Sequence, residues 1–512
     1  MNMAAGIKSK SKLFFLIGAI LFVLPLSVSA DYAQQKTSFS IEPSYDLNQR
    51  EQITATLQKI TPKLYFYIDN EWWETLDYSD RNEVKNALTE LGQEFEGKIY
   101  PTLTSVFGKE WIPGIDKDER ITVLLHPMKE GVGGYFNNID EYPRLQAPNS
   151  NEREMVYLNA NYITGSLAKS YLAHEFVHLV TFNQKDKTFG VTEEVWLNEA
   201  RAELAITLVG YNQIYEGSNL QKRVRNFLDR PYDSLTEWYN TPYDYGVVNL
   251  FTHYLVDNYG VKILTDSLQS SKIGIPSLNY ALEKNGFKED FSQIFTDWTI
   301  TVLVNDCSLG AKYCYKNPNL KNFRVIPLTN FLPLLGESTL RVSDDTKDWS
   351  GSWYRITGGR KTLKIEFTGS SNVDFKIPYV IQDVNNNIFV DFLKLNNNKE
   401  GTLYVPDFGI KFTSLTIIPL VQTKISGFDG LEPSFRFSWA ASTIKEISSS
   451  VSPSIIFGGK ETEEEQTPEM TREELLTKIN EIQNEINRLK IQLIRLLQQE
   501  IIKIQNQIAE SQ

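Results

Sequence analysis

The segment His174-Glu175-Phe176-Val177-His178 constrains the fold of this chain more than any other short stretch. Two imidazoles at i and i+4 reach one point only on an α-helix, where they lie about 40° apart around the axis. Glu175 then sits roughly 100° from His174, on the flank of the same face. Leu172, Phe176 and Leu179 gather on the opposite side. Such a helix is expected to bury one face in a core and line a cleft with the other. The chain has 4 histidines, His126, His174, His178 and His253, so half of them fall in this one motif. In this H-E-x-x-H arrangement the histidines hold a metal ion, zinc first of all, and the glutamate handles the proton of a water.

A catalytic zinc takes three protein ligands and keeps one position open. The run Glu193-Glu194-Val195-Trp196-Leu197-Asn198-Glu199-Ala200-Arg201-Ala202-Glu203 offers several glutamates. Glu199 and Glu203 share a helix face at i, i+4, as a ligand and its supporter would. Glu199 is therefore the expected third ligand. Glu203 is the expected acceptor that fixes the tautomer of a ligand histidine, with a solvated surface acid or an ion-pair partner of a nearby base as its alternative. Glu193 and Glu194 read as first-turn acids of the same helix, favoured by its dipole.

H-E-F-V-H followed by W-L-N-E-A resembles the gluzincin zinc metallopeptidases, and among them the hyicolysin-type secreted peptidases. The resemblance extends to residues 113–125, to Gly134-Tyr135-Phe136 and to residues 151–155, and covers about residues 60–300. It implies a peptidase in which His174, His178 and Glu199 bind zinc, Glu175 is the general base and Glu203 supports a ligand histidine. Ala200 stands where these proteins often have Gly. Tyr243-Asp244-Tyr245-Gly246 is similar to the Y-x-x-G segment of zinc aminopeptidases, whose first tyrosine donates to the transition state. That likeness points to Tyr243, with Tyr245 as the rival and packing as the plain reading of either. The aminopeptidase G-x-M-E-N motif is absent, which favours endopeptidase action on protein or peptide substrates. His253 lies in an apolar helical run and reads as a core histidine. His126 has no assigned role, and Asp116 and Asp118 read as a structural turn without a complete calcium-loop pattern.

The rest of the chain supplies context. Lys8, Lys10 and Lys12, an apolar stretch and Val28-Ser29-Ala30 read as an export signal, or as an N-terminal membrane anchor if it is not cleaved. Either places the protein outside the cytoplasm, secreted or at the cell surface. Cys307 and Cys314 are spaced for one local disulfide, which suits such a compartment. The net charge of -12 repels phosphate backbones, so no nucleic-acid partner is expected. Leu64–Ile68, Ile121–Leu125 and Met155–Leu158 read as strands, the run from Asp80 to Tyr100 reads as a helix that Pro101 is expected to interrupt, and the pattern from Ser166 to Leu264 is mostly helical. Beyond about residue 324, short alternating runs separated by Gly and Asn clusters suggest a β-sandwich. Ile479, Ile482, Ile486, Leu489 and Leu493 keep a heptad seam after the T-x-x-E capping box at Thr471. This predicts a coiled coil for self-association or a partner helix.

The expected architecture is thus an α+β zincin-type metallopeptidase domain (61–324), followed by a β-sandwich domain (325–445), a linker (446–468) and a C-terminal coiled-coil helix (469–510). A signal peptide (1–30) and an N-terminal arm or short pro-segment (31–60) precede it. The alternative function is a surface adhesion or assembly protein carrying an inactive peptidase domain.

Overall fold

A computed structural model describes residues 30–334, 336–428 and 430–444. The export signal up to residue 29, the linker and the coiled coil lie outside these residues. The first sheet contains β1 (Lys36–Ser40), β2 (Gln52–Ile60), β3 (Leu64–Asp69), β4 (Ile121–His126), β5 (Gly134–Tyr135) and β6 (Met155–Asn159), in the order β1-β2-β3-β4-β6-β5. β3, β4 and β6 run parallel, and the outer strands pair antiparallel. Every residue of the three central strands is buried, because both faces of the sheet are covered. The two-residue period of a strand sends Phe66, Val123 and Val156 into one apolar cluster with the helices. It sends Tyr65, Tyr67, Leu124 and Tyr157 into a second cluster on the other face.

That second face is closed by residues 31–60, which the sequence reading treats as an arm or pro-segment. Phe39, Ile41, Ile53, Ala55 and Leu57 from this segment fill the second cluster. Their apolar positions alternate over short stretches, which makes a weak pattern in sequence but a closely packed strand pair. His126 also acquires a part here. Its Nδ1 lies 3.1 Å from Asp46 Oδ2, and Asp46 in turn pairs with Arg50, so the loop between β1 and β2 is tied to the end of β4.

Between β3 and β4 lie α1 (Asn70–Thr75), α2 (Tyr78–Glu94) and α3 (Tyr100–Phe107). Pro101 does not break this run. A π-turn at Phe95–Ile99 joins α2 to α3, and Pro101 falls in the first turn of α3, where its missing N–H leaves no hydrogen bond unmade. After β6 come α4 (Ala168–Phe182), α5 (Val195–Leu208), α6 (Asn219–Asp229), α7 (Pro242–Tyr259), α8 (Lys262–Leu268), α9 (Gly274–Lys284) and α10 (Phe291–Val304). Asn305 ends α10 in the left-handed region, and a Cys307–Cys314 disulfide closes the loop beyond it. No helix among the described residues is long and apolar enough to cross a membrane.

Among the described residues from 328 to 444 the regular elements are all strands. β7 (Leu328–Leu332), β8 (Thr339–Lys347), β9 (Tyr354–Gly358), β10 (Lys361–Gly369), β11 (Phe375–Asp383), β12 (Ile388–Leu393), β13 (Glu400–Phe408), β14 (Phe412–Ile417), β15 (Leu420–Val421) and β16 (Ser434–Ile444) follow one another. They form two groups, β7-β9-β14-β11-β12 and β8-β16-β10-β13, joined through the single pair Phe408–Phe412. Tyr354 of the first group packs on Phe437 and Trp439 of the second, and Phe375 on Phe367 and Phe437. This strand region shares its core with the helices. Trp349 stands edge-on to Phe291 and Phe295 of α10, and Trp353 Nε1 donates to the Thr299 carbonyl at 2.9 Å.

Candidate metal centre

α4 is buried along almost its whole length, so its histidine face meets a cleft instead of open solvent. α5 crosses beneath it and brings Glu199 to the histidines. Glu199 Oε2 lies 3.1 Å from His174 Nε2, and Oε1 lies 3.6 Å from His178 Nε2. The donor atoms of His174, His178 and Glu199 all lie within 4.8 Å of one another. Nitrogen and oxygen donors around a tetrahedral zinc stand about 3.4 Å apart, so the spacing fits that ion.

The electrostatics fit as well. Burial disfavours charge on His174, yet the carboxylates of Glu199, Glu175 and Glu203 raise its pKa to about 9. A site that holds a proton this firmly on a buried imidazole is one that favours positive charge. His178 is shifted the other way, mainly by burial, and stays neutral, as a ligand must. Burial would raise the Glu199 carboxyl, but the two histidines keep it low and ionised.

Supporting groups orient these donors. Glu203 lies with Oε1 3.6 Å from His174 Nδ1 and is fully buried. Arg223 of α6 grips both its oxygens, with Nε to Oε2 at 2.9 Å and Nη2 to Oε1 at 2.6 Å. Asn219 and Asn249 donate to Oε2 at 2.8 and 3.0 Å. Against the cost of burial, Arg223 above all holds this carboxyl down at about 2. Glu203 therefore stays ionised, a carboxylate facing the Nδ1 side of the His174 ring while Glu199 faces Nε2. Asn198 lies close enough to His178 to raise its pKa, yet neither Asn198 Oδ1 nor His178 Nδ1 makes a regular hydrogen bond. Glu193 and Glu194 precede α5 instead of forming its first turn. Glu193 pairs with buried Arg201 at 2.9 Å, and Glu194 accepts from Trp196 Nε1 at 2.7 Å, so both are structural.

Glu175 stands beside the histidines over β5. Gly134 makes this possible, since a Cβ there would lie 3.0 Å from Glu175 Cγ and 2.5 Å from the Tyr157 carbonyl. Burial, opposed by His174 and reinforced by Glu199 and Glu203, raises its carboxyl to about 8. The phenol at the centre is Tyr245. Its ring centroid is 6.4 Å from that of His174, and Arg223 lies over the ring at 4.4 Å. Tyr243, favoured by the sequence likeness, carries Arg230 over its ring at 4.3 Å and is not among the residues that line the cleft. A second phenol, Tyr45, comes from the N-terminal segment. Asn240 bridges the two, accepting from Tyr245 Oη at 3.1 Å and donating to Tyr45 Oη at 3.3 Å. His253 is a satisfied core histidine, 2.9 Å from both Thr207 Oγ1 and the Asn249 carbonyl.

The cleft around these groups encloses about 400 Å³, with Glu130, Phe136, Tyr171, Lys222 and Arg223 on its walls. Sequence reasoning missed Tyr45, Asn198, Asn219, Arg223, Asn240 and Asn249. Only Asn198 carried a signal, as the neighbour of Glu199 in the N-E pair.

No protein-family model matches the chain, and no curated protein matches it either. Solved structures with partial likeness include the Yersinia pseudotuberculosis-derived mitogen, at 10% identity and a TM-score of 0.15 over 22% of this chain and 92% of that one. The pre-peptidase C-terminal domain of a Bacillus anthracis collagenase gives 10% and 0.15 over 23% and 96%. PliG of Aeromonas hydrophila, a periplasmic inhibitor of g-type lysozyme, gives 11% and 0.15 over 23% and 98%. At that score the likeness bears on neither fold nor function.

Proposed function

We propose that this chain is a zinc-dependent endopeptidase of the gluzincin type that acts on proteins or peptides outside the cytoplasm. The observation that carries the reading is the convergence of His174, His178 and Glu199 on one point with Glu175 beside it. His174, His178 and Glu199 would hold the ion. Bound there, zinc supplies an electrophile for the substrate carbonyl and lowers the pKa of a coordinated water. Glu175 takes the proton of the attacking water and passes it to the leaving nitrogen. Its carboxyl is raised by burial, which brings its basicity nearer to that of a working general base. Tyr245 Oη donates to the carbonyl oxygen as negative charge develops there. Glu203, clamped by Arg223, Asn219 and Asn249, keeps the His174 ring in its tautomer and orientation. The export-type N-terminus and the Cys307–Cys314 disulfide support an extracytoplasmic location.

The test compares casein hydrolysis and zinc content for the full chain and for Glu175→Gln. Loss of roughly 10²-fold or more in rate with zinc retained is expected. Equal hydrolysis by both proteins would defeat the assignment of Glu175.

A further inference from the structure

A second group of acids, outside the histidine centre, has unmet needs. Glu141 ends the 3₁₀ turn Asn138–Glu141, and Glu154 immediately precedes β6. They are only 1% and 3% exposed, and their carboxyl groups lie close enough to interact beside the loop 113–118. Glu154 Oε1 accepts from the Ile115 amide at 2.7 Å. Gly114 permits that approach, because a Cβ there would lie 1.7 Å from Glu154 Oε2, and the carboxyl rests on bare backbone.

The remaining oxygens have no donor. Both oxygens of Glu141 and Oε2 of Glu154 are buried without a hydrogen-bond partner. The neighbouring donors are committed elsewhere: Asn151 N and Tyr157 Oη both serve Asp140, at 2.8 and 2.6 Å. The nearby lysines make no hydrogen bond to these oxygens either. Lys187 Nζ lies 3.4 Å over the Trp111 ring, and Lys117 Nζ donates to the Gly114 carbonyl at 3.2 Å. Burial raises both carboxyls, helped by Glu154 at Glu141 and by Asp116 at Glu154, so the pair needs a shared proton or a cation to persist in the interior. One proton joins two oxygens and leaves a third unsatisfied, whereas a cation can take all three.

We propose that Glu141 and Glu154 bind a calcium ion. The donor set is oxygen alone, without imidazole or thiolate, which suits a hard divalent cation over zinc. The site would tie the loop 113–118 and the turn Asn138–Glu141 to the start of β6. The turn follows Gly134 and Phe136, which stand against Glu175 and His178, so calcium would brace one wall of the cleft. The proposal does not depend on the peptidase reading.

Isothermal titration of calcium chloride into the full chain, dialysed into calcium-free buffer, tests it. The expected result is about one calcium per chain with a Kd on the order of 10⁻⁴ M. Calcium at about 10 mM should then raise Tm by about 3 °C. Glu141→Gln and Glu154→Gln should each weaken binding by more than about tenfold while zinc content stays unchanged. No binding heat and no Tm shift in the unaltered chain would overturn the proposal. So would unchanged calcium affinity in both variants. A stability that varies with pH and never with calcium would assign the pair a shared proton instead.

Discussion

His174 carries the clearest electrostatic signature in the molecule. Its apo pKa of about 9 lies above the ordinary histidine value, so below that pH a proton occupies the position an ion would take. Zinc must displace it, and apparent affinity should therefore rise by about tenfold per pH unit between roughly pH 6.5 and 8.5. Competition with a chelator of known affinity at several pH values measures this, and a flat profile above pH 7 would contradict it. The two tyrosines separate just as sharply. Tyr245→Phe should lower kcat by roughly 10- to 1,000-fold with little change in zinc content, while Tyr243→Phe should leave kcat nearly unchanged. Steady-state kinetics on one peptide decides between them. The choice was not legible in sequence. Residues 243 and 245 lie in the first turn of α7 and point some 200° apart, and nothing local fixes which side of that helix meets the cleft. The histidines were legible because helical spacing alone brings them to one face of α4, and Glu199, on α5, was legible through its i, i+4 relation to Glu203 and the likeness of its W-L-N-E-A segment. Arg223, Asn219 and Asn249 were not, because they reach Glu203 from separate helices.

At the level of elements, the site depends on how closely α6 and α7 approach. Gly246 sets that distance: a Cβ there would lie 2.7 Å from the Phe227 amide nitrogen and 3.1 Å from the Asn226 carbonyl carbon. Both neighbours are backbone, so the helices must move apart. Gly246→Ala should cost about 1–3 kcal/mol, read as a lower midpoint in urea, and should also lower kcat because Arg223 and Tyr245 sit on the two separated helices. Unchanged stability would show that the pair has slack. The strong elements, β3, β4, β6, α2 and α4, were readable from dense apolar runs or a 3.6-residue period. β1 and β2 were not, since their buried positions are interleaved with exposed polar ones over a few residues. Pro101 misled for a related reason: the π-turn before it depends on tertiary packing, which periodicity does not carry.

Across the whole molecule, the helical and strand regions are joined by a common core instead of a thin linker. Trp349 is 1% exposed, packs on Phe291 and Phe295, and donates through Nε1 to the Lys424 carbonyl at 2.6 Å. Trp349→Ala should cost about 3–5 kcal/mol, and calorimetry should show helical and strand regions shifting together. Two separate transitions would contradict the shared core. The change from helical to strand patterning near residue 325 was visible in sequence. That the two regions pack as one body was not, because the contact is made by aromatic residues far apart in the chain. The central claim remains the ion at His174, His178 and Glu199, and zinc content by elemental analysis of the full chain and of His178→Ala tests it most directly. About one zinc per chain, falling to roughly a tenth or less in the variant, is the expected result. No zinc in the unaltered chain, or equal zinc in both, would contradict it.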